Sequence, residues 1–120
     1  MRIRKLKDIA QIKAGDSTIL KEILHPDRDY PFDGRYSLAH AKLGVGESSD
    51  KHKLKTSEVY YILAGSGEMC INDETAIVEV GDTIEIPPKA IQSIKNIGEV
   101  ELEFLCIVDP AWRINDEEIL

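Results

Sequence analysis

Gly46-Glu47-Ser48-Ser49-Asp50-Lys51-His52-Lys53-Leu54-Lys55-Thr56-Ser57-Glu58-Val59-Tyr60-Tyr61-Ile62-Leu63-Ala64-Gly65 is the stretch whose reading decides the fold. From Lys51 to Lys55 charged residues alternate with His52 and Leu54, the two-residue period of a strand. Residues two apart share a strand face, so His52 and Leu54 point the same way. Glu58 and Tyr60 share a face of the following run by the same count. A histidine and an apolar Leu54 thus share one strand face, and a carboxylate and a phenol share a face of the following run.

Working outward, strand-like runs and turn signals alternate along the chain. Tyr36 to Leu43 precedes the opening stretch. After Gly65-Ser66-Gly67 come Glu68 to Ile71, an Asn72-Asp73 hairpin turn, and Thr75 to Val80. Gly81-Asp82 turns into Thr83 to Ile86, which the breaker pair Pro87-Pro88 ends. Ile91 to Ile94, a turn at Asn96-Ile97-Gly98, and Leu102 to Val108 complete the series. Short strands with turns every 8–12 residues or so indicate an all-β sandwich or barrel. Helix is expected only as single turns, at Leu6 to Ile9 and in the acidic tail Asn115 to Glu118. His25 to Pro31 has loop composition, which puts His25 in solvent.

Val59 to Leu63 and Phe104 to Val108 are apolar without interruption. Alternation is the rule when one strand face meets water, so both runs are expected to be buried on both faces. A barrel fills its interior from one face, and a second subunit is the favoured cover for the other, with an N-terminal segment of the same chain as the competing one. A homodimer is expected on this ground. His40, out of phase with Ala39, Ala41 and Leu43, is expected on that outer or interface side.

With 120 residues the chain forms one domain, 1–120, around a single core. Its net charge of −7 excludes the basic surface that nucleic acid or an anionic membrane selects. The N-terminal Arg2, Arg4, Lys5 and Lys7 read as a solvated leading strand. No apolar run spans a bilayer and no apolar signal core follows Met1, so a cytoplasmic location is expected. Cys70 and Cys106 are isolated in apolar segments and read as buried free thiols.

A second spaced pattern follows the first. Gly81, Pro87 and Asn96 stand at the intervals of Gly, five residues, Pro-x-Gly, two residues, His, three residues, Asn. Lys89 occupies the glycine position and Gln92 the histidine position. The opening stretch has the intervals of Gly, five residues, His-x-His, three residues, Glu, six residues, Gly, with Leu54 in place of the second histidine. With both patterns present the chain resembles a small single-domain cupin of the conserved-barrel type. The resemblance covers about residues 36–108, leaving an N-terminal strand and loop at 1–35 and a tail at 109–120. It implies a double-stranded β-helix, or jelly-roll, barrel.

The resemblance also implies a divalent metal inside the barrel (zinc, manganese, iron or nickel), for which this chain offers His52, Glu58 and Gln92. Leu54 cannot ligate, and imidazole supplies much of the affinity of such sites. Two readings stay open: a weakly held ion, or a metal-free polar cavity in which Gln92 hydrogen-bonds Glu58. Burial is expected to push the Glu58 pKa up, and a His52–Glu58 pair suits acid–base catalysis. Tyr60 and Gln92 are the candidate ligand contacts. Trp112, just after the last strand, is expected to pack across the barrel exterior or the subunit contact, with closure of the cavity mouth as the alternative. The expected function is binding of a small polar metabolite in the interior, with sugar-isomerase-like or other acid–base chemistry. The alternative is a non-catalytic binding or sensing barrel, and oxygen chemistry is the branch this ligand set supports least.

Overall fold

The computed structural model describes residues 1–120 as eleven strands and two short 3-10 turns, Leu6–Asp8 and Ile114–Asp116. In chain order the strands are β1 (Ile12–Lys13), β2 (Ile19–Leu24), β3 (Ser37–Leu43), β4 (His52–Leu54), β5 (Ser57–Ala64) and β6 (Ser66–Ile71). They continue as β7 (Glu74–Glu79), β8 (Thr83–Ile86), β9 (Gln92–Asn96), β10 (Leu102–Asp109) and β11 (Glu117–Ile119). One sheet has the order β1-β2-β3-β10-β5-β8, the other β11-β4-β9-β6-β7, and every pairing is antiparallel. This is a jelly-roll barrel. No helix is long and apolar enough to cross a membrane.

Turn chemistry sets the registers. Asn72 adopts φ +52° in the two-residue turn that joins β6 to β7, so Ile71 faces Glu74. Gly65 adopts φ +80° at the β5–β6 corner, where an added Cβ would lie 2.8 Å from the Glu101 carbonyl oxygen. Only glycine fits there. Inward residues of the two sheets then meet in one core that includes Leu43, Ile62, Ile94, Leu102 and Phe104. Asn96 locks one end of the barrel by donating its side-chain amide to the Leu43 and Val100 carbonyls.

Within one chain the outer face of Val59 to Leu63 and Phe104 to Val108 is partly open, as expected of a face that a second subunit would cover: Tyr61 is 43% exposed, Leu63 40% and Ile107 39%, while their neighbours Tyr60, Ile62, Phe104 and Cys106 are buried. The acidic tail forms a single 3-10 turn, Ile114–Asp116, and Glu117–Ile119 then pairs with β4 as an edge strand. Two expectations are corrected. His25 is buried, not solvated: Nδ1 accepts from the Asp27 N–H at 3.1 Å, so Nε2 donates to the Trp112 carbonyl at 2.7 Å. Cys70 is only partly buried, whereas Cys106 is a buried free thiol as expected.

His40 lies on the face opposite Ala39 and Ala41, where it pairs with Leu105 and Lys21 across the sheet. It is buried nonetheless, with Nε2 3.1 Å from Glu103 Oε1 and Nδ1 without a partner.

Candidate functional site

His52 and Leu54 share one face of β4, and both are buried. His52 pairs with Gln92 of β9 across the sheet, which brings the two spaced patterns together at one point of the barrel. Glu58 and Tyr60 point inward from β5, facing Val108 and Cys106 on β10. A cavity of about 340 Å³ opens inside, and His52, Glu58 and Tyr60 line it. Leu54 does not reach the cavity wall, and neither does Gln92.

Gln92 stands behind the wall and holds two of its members. Its side-chain oxygen accepts from the Tyr60 hydroxyl at 3.0 Å, and its NH2 donates to Glu58 Oε1 at 2.9 Å. Tyr60 is fixed further by Phe104, whose ring centroid lies 4.6 Å from its own. Desolvation raises the Glu58 pKa from 4.5 to about 8, outweighing the Gln92 hydrogen bond that lowers it. Glu58 is therefore a neutral carboxylic acid at pH 7. With Oε1 held by Gln92, its proton sits on Oε2, which has no protein partner. Desolvation also pushes the Tyr60 phenol and the Cys106 thiol well above their ordinary values, so neither is a nucleophile at neutral pH.

His52 is oriented by the chain just before it. Its Nδ1 lies 2.7 Å from the Asp50 carbonyl, a contact that requires Nδ1–H to donate and turns Nε2 toward the cavity. There Nε2 stands 3.5 Å from Asp16 Oδ2. Asp16 sits in the β1–β2 turn, where Oδ1 accepts from the Thr18 N–H at 3.1 Å and the Thr18 hydroxyl at 2.7 Å. From the other end of the chain, β11 pairs Glu117 with Leu54 and directs its carboxyl into the same cavity. Glu117 Oε2 accepts from the Trp112 indole at 3.3 Å. Its pKa is raised, first by desolvation, against the lowering effects of Trp112 and His52.

Asp16 and Glu117 thus belong to the site although no sequence signal placed them there, and Trp112 lines the cavity, the less favoured of the positions expected for it. Signals for the two acids were weak. Gly15-Asp16-Ser17 is ordinary turn composition, and Glu117-Glu118-Ile119 is three residues of alternation in a charged tail.

The donor set does not fit a resident metal ion. No three His, Cys, Asp or Glu side chains come together as a group able to hold one. Gln92 turns its NH2, which cannot ligate, toward Glu58, and its oxygen is engaged by Tyr60.

The cupin-domain family profile matches residues 39–108, more than half of the chain. The chain belongs to the cupin family. This cupin is 45% identical over 107 residues to an uncharacterized protein of Methanocaldococcus jannaschii, covering 88% of this chain and 83% of that one. An oxalate-binding protein of Thermotoga maritima is 35% identical over 72 residues, which are 59% of this chain and 60% of the relative. Among solved structures, a predicted oxalate decarboxylase from Thermotoga maritima superposes with a TM-score of 0.79 at 23% identity, over 91% of this chain and 99% of that one. That likeness bears on the fold alone.

Proposed function

We propose that this cupin binds a small polar molecule inside its barrel, and that Glu58 and His52 carry any proton transfer the ligand undergoes. One observation carries the reading: a buried carboxyl at the cavity wall, held on one oxygen by Gln92, whose pKa burial pushes up to about 8. A carboxylic acid kept protonated at pH 7 can donate a hydrogen bond or a proton to a ligand. The oxalate-binding relative supports interior binding of a small polar molecule. Metal-assisted isomerisation is not the branch we favour, because the Tyr60–Gln92–Glu58 chain already satisfies these groups without an ion.

A metabolite screen by thermal shift tests this reading. Ligands that stabilise the parent protein should lose their effect in His52→Ala or Glu58→Gln. Hits that persist unchanged in both variants would place binding elsewhere. Turnover assays on the same hits separate an enzyme from a binding or sensing barrel: turnover lost in Glu58→Gln makes Glu58 catalytic, and binding without turnover makes the protein a sensor.

We also propose that the outer face of β3, β10 and β5 packs against a second copy. Val59, Tyr61, Leu63, Leu105 and Ile107 form a continuous apolar surface on one side of the sheet that the chain leaves partly open. Few soluble monomers leave such a patch uncovered.

A further inference from the structure

The cavity holds its charges in pairs. Arg28 Nη1 lies 3.1 Å from Glu22 Oε1, and the guanidinium stacks over the Trp112 ring at 5.1 Å. His52 Nε2 has Asp16 Oδ2 opposite it at 3.5 Å. Glu58 accepts from Gln92, and Glu117 from the Trp112 indole. The hydroxyls are engaged as well: Thr18 donates to Asp16, Tyr60 donates to Gln92, and Ser37 Oγ accepts the Trp112 backbone N–H. The buried polar atoms without a partner are His40 Nδ1 and Thr56 Oγ1, and neither residue lines the cavity. Arg28 and Lys13 keep N–H groups to spare. Arg28 is nonetheless matched in charge by Glu22, and Lys13 is exposed on β1, where water serves it.

The apolar part of the wall has no such match. Phe104 and Val108 contribute from β10, Leu20 from β2, and Trp112 from the tail. Ile12 and Ile114 also line the cavity, yet they are 47% and 75% exposed, which puts them at the rim where it meets solvent. Two branched apolar side chains, one from each end of the chain, thus stand in water beside an apolar interior. Size narrows the occupant further. A dry apolar cavity of about 150 Å³ takes one benzene ring. At about 340 Å³ this one has room for about two.

We infer that the ligand is uncharged and amphipathic: a body of about two rings against Phe104, Leu20 and Trp112, with one hydroxyl or carbonyl beside Glu58 and His52. This rests on the interior-binding reading above and names the ligand class. An uncharged ligand displaces water from the apolar wall and requires no existing pair to break. A charged ligand must separate such a pair or bring an unmatched charge into a desolvated space, and either is costly. Oxalate, doubly charged and without an apolar body, meets that cost and leaves the wall bare. The oxalate-binding relative's ligand class is accordingly not the one assigned to this chain.

The test uses three probes that share one body and differ in charge at pH 7: 2-naphthol, 2-naphthoate and 2-naphthylmethylammonium. Each of them, with oxalate as a fourth, is titrated calorimetrically at equal ionic strength into the parent protein and into Ala39→Leu, Ile114→Asp and Glu58→Gln. Ala39→Leu fills part of the cavity, and Ile114→Asp charges the rim at an exposed position. Circular dichroism checks that each variant is folded. Expected is saturable binding of 2-naphthol, about tenfold or more tighter than that of either charged analogue. Ala39→Leu should weaken it about tenfold and Ile114→Asp about threefold, with a loss in Glu58→Gln as well. Binding of 2-naphthol that is unchanged in folded Ala39→Leu and Ile114→Asp would be adsorption to the outer apolar face and would overturn the inference. A charged probe or oxalate that binds as tightly as 2-naphthol would overturn the ligand class, and where Glu58→Gln abolishes that binding the interior-binding reading stands. Silence of 2-naphthol overturns the inference outright, and the interior-binding reading is then decided by the metabolite screen alone.

Discussion

Gln92 donates its side-chain NH2 to Glu58 across 2.9 Å, and through that contact the second spaced pattern supports the acid of the first. The same amide accepts from Tyr60, so a single buried side chain closes two hydrogen bonds. Replacing it with alanine leaves a phenol and a carboxyl oxygen unpaired in the interior. Gln92→Ala should cost about 2–3 kcal/mol in urea unfolding, and Tyr60→Phe about 1 kcal/mol. Because Gln92 lowers the Glu58 pKa against desolvation, the alanine variant should also titrate Glu58 at higher pH. Unchanged stability in Gln92→Ala would mean that these bonds are not made in solution.

The titration of Glu58 sets a pH dependence with a definite sign. Its pKa is near 4.5 in the unfolded chain and about 8 in the fold, so the folded state holds the extra proton between those limits. Stability from this group is full below about pH 4.5 and is lost as pH rises through about 8, a loss of roughly 3–5 kcal/mol. Glu58→Gln removes the proton and its cost. The variant should therefore gain on the parent with rising pH and exceed it near pH 9. Parallel stability curves for the two proteins from pH 5 to 9 would contradict a desolvated Glu58.

The barrel and the central part of its site were legible because the signals are local. Strand period, the Asn72-Asp73 turn and the Gly46, Gly65 and Gly81 positions fix the order of elements. The parity of His52, Glu58 and Tyr60 fixes which side chains face inward. What was not legible depends on long-range docking. Asp16 and Glu117 reach the cavity only because the β1–β2 turn and β11 close over it, and no local period encodes that closure. The role of Gln92 was half legible: its position marks the pattern, but which amide atom meets Glu58 is decided by Tyr60, which lies 32 residues away in sequence.

Lys89 occupies a left-handed conformation, φ +68°, at the position where the family pattern has glycine. Its backbone N–H donates to the Leu54 carbonyl at 2.6 Å, which ties the second pattern to the first independently of any side chain. A non-glycine residue in this region costs about 1–2 kcal/mol, while glycine adds unfolded-state entropy worth about half of that. Lys89→Gly keeps the hydrogen bond and relieves the strain. It should stabilise the protein by about 0.5–1 kcal/mol, raising Tm by roughly 2–5 °C. A lower Tm would show that the Lys89 side chain contributes more than its backbone strain costs.

The apolar outer face predicts self-association. Leu105 faces Tyr61 on one side and His40 on the other, and Ile107 lies two residues along the same strand face. Light scattering at micromolar concentration should give the mass of two chains for the parent protein. Tyr61→Glu with Ile107→Glu places charge at the centre of the face and should yield a folded monomer. A monomeric parent protein would leave the face without the proposed partner.

Leu54 and Gln92 are the two departures from the family's ligand pattern, and reversing both tests whether the site lies where the spacing puts it. Leu54 shares a strand face with His52, and Gln92 is directly across from His52 in register, so histidines at 54 and 92 would lie near Nε2 of His52. The Gln92→His change also frees Glu58 from its amide partner. Leu54→His with Gln92→His should therefore create a zinc site of three imidazoles and a carboxylate. At a hundredfold excess of zinc over Kd the double variant should gain about 2.7 kcal/mol, a Tm rise of several degrees, where the parent protein shows little. Each single change should give a smaller gain, since a site that lacks one imidazole binds more weakly. If zinc leaves the folded double variant unaffected, positions 54 and 92 do not converge with His52 and Glu58, and the pairing of β4 with β9 differs from that seen here.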